Sequence, residues 1–351
     1  MITVFNFHLK WRALMDRAIS FWMVIPMFYL QFIYGVKIRV TGDPIEADEP
    51  AIIIMNHRTR LDWLYFKLAL WRVNPWLMTT YRIALKELVK HVPGIGFGMQ
   101  FMQYIFLKRD MNVDFPRMDK AIEYYSESKQ SYQVLMFPEG TDKTSYTTRK
   151  SNEYAQRNGL LELKHVLYPR TNGFIHLLNK MKQHNYISYI YDVTVAYPKD
   201  VVQNETDLVL KGKVSSTIHY DVKKIPISDL PTSELDLNKW LLDVWFEKEQ
   251  KLNQYYSELV KNRRRFKPSG KARTWIKDNW FQNFVKIFGF FFWVSVVGIW
   301  CYHMTFLIFV RIQFLWLLSN YAYIYIRYGG IDQLIYQRWE QWASRNKVHV
   351  I

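Results

Sequence analysis

Cysteine is almost absent. Cys301 is the single one in 351 residues, which excludes an intrachain disulfide framework and any cysteine-based zinc cluster. Acidic residues are scarce against basic ones, 31 Asp and Glu facing 47 Lys and Arg, for a formal charge of +16. That excess implies an anionic partner: nucleic acid, an anionic membrane surface or a phosphate-bearing substrate. There is no G-x-S-x-G run, no internal repeat and no low-complexity tract. Apolar residues are plentiful, at 50% of the chain with 17% aromatic. Chains that stay disordered do not supply that much apolar surface.

The apolar runs decide among the anionic partners. Residues 18–36, AISFWMVIPMFYLQFIYGV, carry no charge, and about 20 helical residues cross a bilayer core. Pro26 at its middle predicts a kink. A signal peptide is the rival reading, because Lys10, Arg12 and Arg17 precede the run. The bulky residues Tyr34, Val36 and Lys37 that follow do not suit cleavage, which favours a retained anchor. Residues 287–302 and 304–310 form a second apolar region, and 312–326 a third after Arg311. These read either as a spanning helix followed by an interfacial one or as a hairpin turning around His303. Such segments leave no place for a soluble nucleic-acid binder.

The run 261–277 holds eight Lys or Arg and no acid. Beside a membrane helix this places the preceding domain on the cytosolic side. The sequon Asn204-Glu205-Thr206 would then stay unmodified. The layout expected is an N-terminal membrane anchor (1–39), a catalytic domain (40–260), a basic juxtamembrane segment (261–283), and C-terminal membrane helices with a tail (284–351).

Within 40–260 short β-rich runs alternate with amphipathic helical ones. Residues 51–55, 103–107, 133–137 and 191–198 read as strands; 59–71 and 115–128 read as helices, and 234–262 as a trailing helical connector. The fold class expected is α/β, a mixed sheet with flanking helices.

Ligands of such sheets bind beyond the carboxyl ends of the strands. After 51–55 comes Asn56-His57-Arg58-Thr59-Arg60-Leu61-Asp62. In one continuous helix His57 and Asp62 would stand about 140° apart around the axis. They meet only if His57 lies outside the helix and Asp62 in its first turn. Thr59-x-x-Asp62 has the capping-box pattern for a helix starting at Thr59. A base with its orienting carboxylate and a plain helix cap both fit this spacing. The other strand ends carry Lys108-Arg109 and Pro138-Glu139-Gly140-Thr141. Arg109 suits a phosphate held bidentately, and Glu139 suits substrate hydroxyls, with Gly140 admitting close approach; a surface charge and an ordinary turn are the plain readings.

At these residues a resemblance emerges. Asn56-His57 with Asp62 resembles the N-H-x-x-x-x-D box of the glycerophospholipid acyltransferase family, and Phe137-Pro138-Glu139-Gly140-Thr141 is similar to its F-P-E-G-T box. Ile105 to Arg109 resembles the family's Arg-bearing strand, and Lys86-Glu87-Leu88 with Pro93, Gly94 and Gly96 the segment before it. NHRTRLDW, FPEGTDKT, SNEYAQRNGL, VLYPRTNGF and DVTVAYP resemble the lysocardiolipin acyltransferase-like branch. In one departure, Gln103 stands where many relatives have Gly.

The resemblance implies transfer of an acyl group from acyl-CoA to the free hydroxyl of a lysophospholipid, with no metal and no further cofactor. It implies His57 as general base and Asp62 as its orienter. Arg109, Glu139 and Gly140 would bind the acceptor's phosphate and glycerol, with Thr141 supporting that turn and Asn56 belonging to the first box. Arg58, Arg60 and Lys86 are candidates for CoA or headgroup phosphates. The acceptor expected is acidic: lysophosphatidylinositol, lysophosphatidylglycerol or a lysocardiolipin. Acylation of 1-acylglycerol-3-phosphate is the alternative, and a non-catalytic anionic-lipid-binding membrane protein is the alternative of another class. The family also implies the endoplasmic reticulum membrane, with contact to mitochondria as a further location.

Overall fold

The computed structural model describes residues 8–92, 94–267 and 273–347. Pro93 and the middle of the basic run, 268–272, lie outside the described residues. Eight strands form: β1 (Lys37–Gly42), β2 (Ala51–Met55), β3 (Tyr81–Lys86), β4 (Ile105–Leu107), β5 (Gln133–Met136), β6 (Tyr189–Ala196), β7 (Thr217–Pro226) and β8 (Arg273–Trp275). The chain divides into two units.

One unit comprises Tyr29–Tyr81 and Ser131–Gln282. Its strands run in the order β5-β2-β6-β7-β1-β8. β2 is parallel to β5 and β6, β7 is antiparallel to β6, β1 is parallel to β7, and β8 closes the edge antiparallel to β1. The sheet is therefore mixed, as expected. All five residues of β2 are buried, which is why AIIIM reads as a continuous apolar run: helices cover both of its faces. The helix Asp62–Val73 sets Phe66 against Tyr81 and Tyr220, with ring centroids 6.0 and 5.3 Å away. The helix Glu234–Ser257 sends Lys248 to the Val193 carbonyl at 2.7 Å, and Trp240 stacks on Phe174 of the helix Thr171–Gln183.

The expected helix at 59–71 starts later. Its first residue is Asp62 and its last Val73. The Thr59 hydroxyl accepts from Leu61 N–H at 3.0 Å, closing a turn instead of capping the helix. Only the other half of the capping box forms, with Thr59 N–H donating to the Asp62 carboxylate at 2.9 Å. Asn204 of the sequon caps the helix Glu205–Lys211 by accepting from Asp207 N–H at 2.9 Å.

The other unit comprises residues up to Phe28, Arg82–Gln130 and residues from Asn283. Here β3 and β4 pair in parallel, with Lys86 opposite Leu107. Two helical stretches among the described residues are long and apolar enough to cross a bilayer by length and composition. His8–Ile33 has a window of mean hydropathy 1.3 that is 39% buried, and Trp280–Phe306 one of 1.9 that is 11% buried. The first already includes residues ten before the expected run, and there Arg12 and Asp16 are buried within the unit, Asp16 being 2.5 Å from Arg12 and 2.7 Å from Arg82. Its regular α-helix stops at Trp22 and ends in a π-helical turn, Tyr29–Ile33. Pro26 has no N–H for the Trp22 carbonyl, four residues back, which accounts for the interruption.

The C-terminal runs are helices Trp280–Phe306 and Ile308–Tyr328. Trp300 and Phe314 touch edge to face at 5.4 Å, whereas a straight helix would separate them by about 21 Å. The chain therefore reverses as a hairpin, and the break falls at Leu307, not His303. Arg311 donates to the carbonyls of Met304 and Thr305, satisfying acceptors that the end of the first helix leaves open.

Candidate active site

The site grows from two adjacent parallel strands. Ile54 of β2 pairs with Met136 of β5, so the segments 56–62 and 137–142 emerge side by side. Asn56 ends β2 by bonding the backbone of β6 in both directions: its Oδ1 accepts from Val195 N–H at 2.8 Å and its Nδ2 donates to Val195 O at 3.1 Å. The His57 carbonyl accepts from Lys143 N–H at 2.8 Å. The two loops thus hold one another.

His57 Nδ1 lies 3.0 Å from Asp62 Oδ2. The carboxylate is fully buried, and the imidazole is 16% exposed. Phe137 stacks on the ring, with centroids 4.0 Å apart and planes 22° apart. Asp62 Oδ2 also accepts from Thr59 N–H, and Oδ1 accepts from the Tyr197 hydroxyl. Burial, and then the neighbouring Asp62, push the Tyr197 phenol well above its ordinary range, so it stays a donor. Every contact of the carboxylate fixes it facing His57. A hydrogen on Nδ1 shared with Asp62 leaves the Nε2 lone pair to accept a proton from a substrate.

Glu139 points inward, 3% exposed. The Trp245 indole donates to its Oε1 at 3.3 Å, and the backbone N–H groups of His57 and Leu167 face it. Burial outweighs these donors and raises its pKa from 4.5 to about 8. Gly140 is exposed at φ 71°, the left-handed region that favours glycine, and a Cβ there would meet the Arg170 side chain at 3.4 Å. Thr141 is half-buried beside it.

Arg58 donates to Lys143 O at 3.0 Å and to Gln203 Oε1 at 3.4 Å. Arg60 is 62% exposed in its side chain and sits 3.8 Å from Asp142. Lys86 and Arg109 belong to the other unit, at the exposed ends of β3 and β4. There Asp114 accepts from the backbone N–H groups of Lys108 and Arg109, both at 2.7 Å, shaping the turn in which Arg109 adopts φ 70°. Gln103 has φ 54°, in the left-handed region that favours glycine.

Tyr197, Gln203 and Trp245 went unnoticed in the sequence. Tyr197 lay inside the expected strand 191–198, whereas β6 ends at Ala196 and leaves Tyr197 just beyond its carboxyl end. Trp245 is one apolar residue of a long helix and carries no local signal.

The residues 37–198 match the family model described as Acyltransferase, and 208–282 match the one described as Acyltransferase C-terminus. The lysophosphatidylinositol acyltransferase 10 of Caenorhabditis elegans is 48% identical over 337 residues, which cover 95% of this chain and 86% of that protein. The chain belongs to the lysophospholipid acyltransferase family. It is an O-acyltransferase. Lysocardiolipin acyltransferase 1 of Gallus gallus is 37% identical over 246 residues, 70% of this chain and 64% of that one. A probable 1-acyl-sn-glycerol-3-phosphate acyltransferase 5 of Arabidopsis thaliana is 30% identical over 237 residues, 67% of this chain and 61% of that one. The chain thus spans less than two thirds of these last two relatives.

Two outcomes follow from the geometry. Tyr197→Phe removes one donor from a buried carboxylate and loosens its orientation towards His57. kcat should fall about tenfold, less than loss of the base itself; activity equal to wild type would contradict the geometry. Glu139 has a folded-state pKa above its unfolded value, so its favourable contribution to stability is fully present below pH 4.5 and is lost as pH rises towards about 8. Glu139→Gln carries no titrating proton. Its melting temperature relative to wild type should climb through that window and level off above it; a pH-independent difference would contradict the assignment.

Proposed function

We propose that the protein transfers a fatty acyl group from acyl-CoA to the free hydroxyl of an acidic lysophospholipid, with lysophosphatidylinositol, lysophosphatidylglycerol and lysocardiolipin as the acceptors of choice. The observation that carries this reading is the His57–Asp62 pair at 3.0 Å, with a partly exposed imidazole above a buried carboxylate. His57 Nε2 takes the proton of the acceptor hydroxyl as its oxygen attacks the thioester carbonyl. The carbon–sulfur bond then breaks, and the thiolate of CoA takes the proton back from the imidazolium. Asp62 keeps the ring in the tautomer and orientation that this needs, and stabilises the imidazolium between the two transfers. The reaction needs neither a metal nor a further cofactor.

Glu139 acts in this reading by positioning: its buried carboxyl meets the backbone N–H of His57 and the Trp245 indole, while Gly140 and Thr141 form the surface of the acceptor subsite. The family resemblance is what assigns substrate phosphates to Arg109 and Lys86 in one unit, and to Arg58 and the exposed Arg60 in the other. The apolar stretch His8–Ile33 and the C-terminal hairpin embed the chain in the endoplasmic reticulum membrane, including its contacts with mitochondria, with the site on the cytosolic face. Both reactants partition into that membrane, and confinement there raises their effective concentration. The names of the worm and chicken relatives support the acidic acceptors. The plant relative's name favours 1-acylglycerol-3-phosphate as the second reading.

Microsomes containing wild type or His57→Ala, given labelled acyl-CoA and a panel of lysolipids, test the proposal. Label should enter one acidic phospholipid, and the substitution should abolish at least about 99% of that transfer. Full transfer by normally inserted His57→Ala would overturn the assignment. Release of CoA without any acceptor would indicate hydrolysis instead.

A further inference from the structure

The same end of the sheet carries a second cluster of charge. His219 of β7 pairs with Ala196 of β6, and Arg39 of β1 pairs with His219. Because β6 runs parallel to β2, Arg39 and His219 lie at the sheet end where His57 emerges. β1 is three strands from β2, or about 14 Å at the usual spacing. The helix Glu234–Ser257 covers this end, with the Tyr255 hydroxyl 2.7 Å from His219 Nδ1. A cleft of about 510 Å³ opens beside it, lined by Glu247, Lys251, Tyr255, Arg265, Phe266 and Lys267 among others; Arg39 is outside this lining but near Arg265 and Tyr255.

Its charge is positive on balance: Lys251, Arg265 and Lys267 line it against Glu247, which pairs with Lys223 at 3.2 Å. Arg265 donates to two backbone carbonyls, those of Asn262 at 2.8 Å and Arg264 at 2.6 Å. Among the described residues no carboxylate pairs with Arg39, Arg265 or Lys267, whereas Lys251 is held by Asp221 at 2.8 Å. The Arg39 Nε is buried with no hydrogen-bond partner. Arg39 and Arg265 are near enough to repel one another; burial first, and then Arg265, hold Arg39 below its ordinary range. Burial and the same two arginines depress His219 to about 3, leaving it neutral. Tyr255 and Phe266, with centroids 4.8 Å apart, give the cleft an aromatic wall. Cations on an ordinary solvated face spread apart or find carboxylates, as Lys224 finds Glu49.

We propose that this cleft is a second anion site that binds a phosphate group through Arg265 and Lys267, with Arg39 adding positive charge next to Arg265 from outside the lining. Guanidinium groups bind phosphate bidentately, and the aromatic wall suits a flat or apolar group attached to it. Two reactants carry such a phosphate: the nucleotide end of acyl-CoA and the headgroup of a phospholipid. The first source rests on the acyl-CoA reading above, with the carrier arm spanning from His57 across the intervening strands.

The test measures binding in full-length protein carrying His57→Ala, so that no turnover intervenes. Adenosine 3′,5′-bisphosphate is one probe. Phosphatidylcholine vesicles with and without phosphatidylglycerol are the other. In an Arg39→Gln, Arg265→Gln background the dissociation constant of the relevant probe should rise about tenfold or more. An Arg265→Gln, Lys267→Gln variant, altered only on the loop after the helix, should move the same way and covers the case in which losing Arg39 impairs folding. Weakened bisphosphate binding supports the site with the donor as its source. Weakened binding to anionic vesicles alone supports it with the headgroup as its source. Unchanged binding of both probes in both variants overturns it. Since nothing here depends on catalysis, that failure would leave acyl transfer to be judged by the label-transfer experiment.

Discussion

The structure of this site depends on a break in the chain between a strand and a helix. If one continuous helix had held both His57 and Asp62, they would point in different directions. The turn at 59–61 instead puts the first helical residue at Asp62, where its carboxylate meets the imidazole at 3.0 Å. A buried carboxylate is costly to desolvate unless it is well supplied with donors. Thr59 N–H, the Tyr197 hydroxyl and His57 supply them, from a loop and the end of a neighbouring strand. The pair is thus a property of the sheet as much as of the motif, because Tyr197 reaches Asp62 only when β6 is in register with β2.

The same economy runs outward from the pair. Phe137 and the backbone of Lys143 tie the loop after β5 to His57. Glu139 faces the His57 backbone from below, and Trp245 brings the helix Glu234–Ser257 onto it. Three residues on, Lys248 pairs with Asp192 of β6. Glu249 accepts from the backbone N–H groups of Lys164, His165 and Val166, fixing the segment that leads to Pro169. One long helix therefore registers the segment 164–166, the central strands and the site. In the other unit, buried ion pairs such as Asp16 with Arg12 and Arg82 occupy a helix whose apolar composition alone would suggest a simple anchor.

The sequence was legible where signals are local. Strand β2 appears over the same five residues that its apolar run suggested, and β5 and β6 fall within two residues of theirs. Strands β1, β3, β7 and β8 were missed: β1, with Lys37 and Arg39, β7, with Lys223 and Lys224, and β8, with Arg273 and Thr274, mix charge and polarity and take their identity from pairing. The meeting of His57 with Asp62 was readable because five residues separate them. The hydroxyl of Tyr197 was not, because 135 residues separate it from Asp62. Glu139 was read as facing substrate hydroxyls; its burial depends on Trp245, 106 residues away. The hairpin at Leu307 was ambiguous because apolar runs report length and not direction.

The central claim is that Asp62 makes His57 a base by holding it in one tautomer and stabilising its protonated form. Asp62→Asn keeps the size of the side chain and a hydrogen bond to Nδ1 while removing the charge and allowing the wrong tautomer. Acyl transfer by this variant, measured in membranes at matched expression and saturating substrates, should fall by about a hundredfold or more, with KM for acyl-CoA little changed. Retention of activity within about twofold of wild type would contradict the account, since a pair that only caps a helix would tolerate the amide.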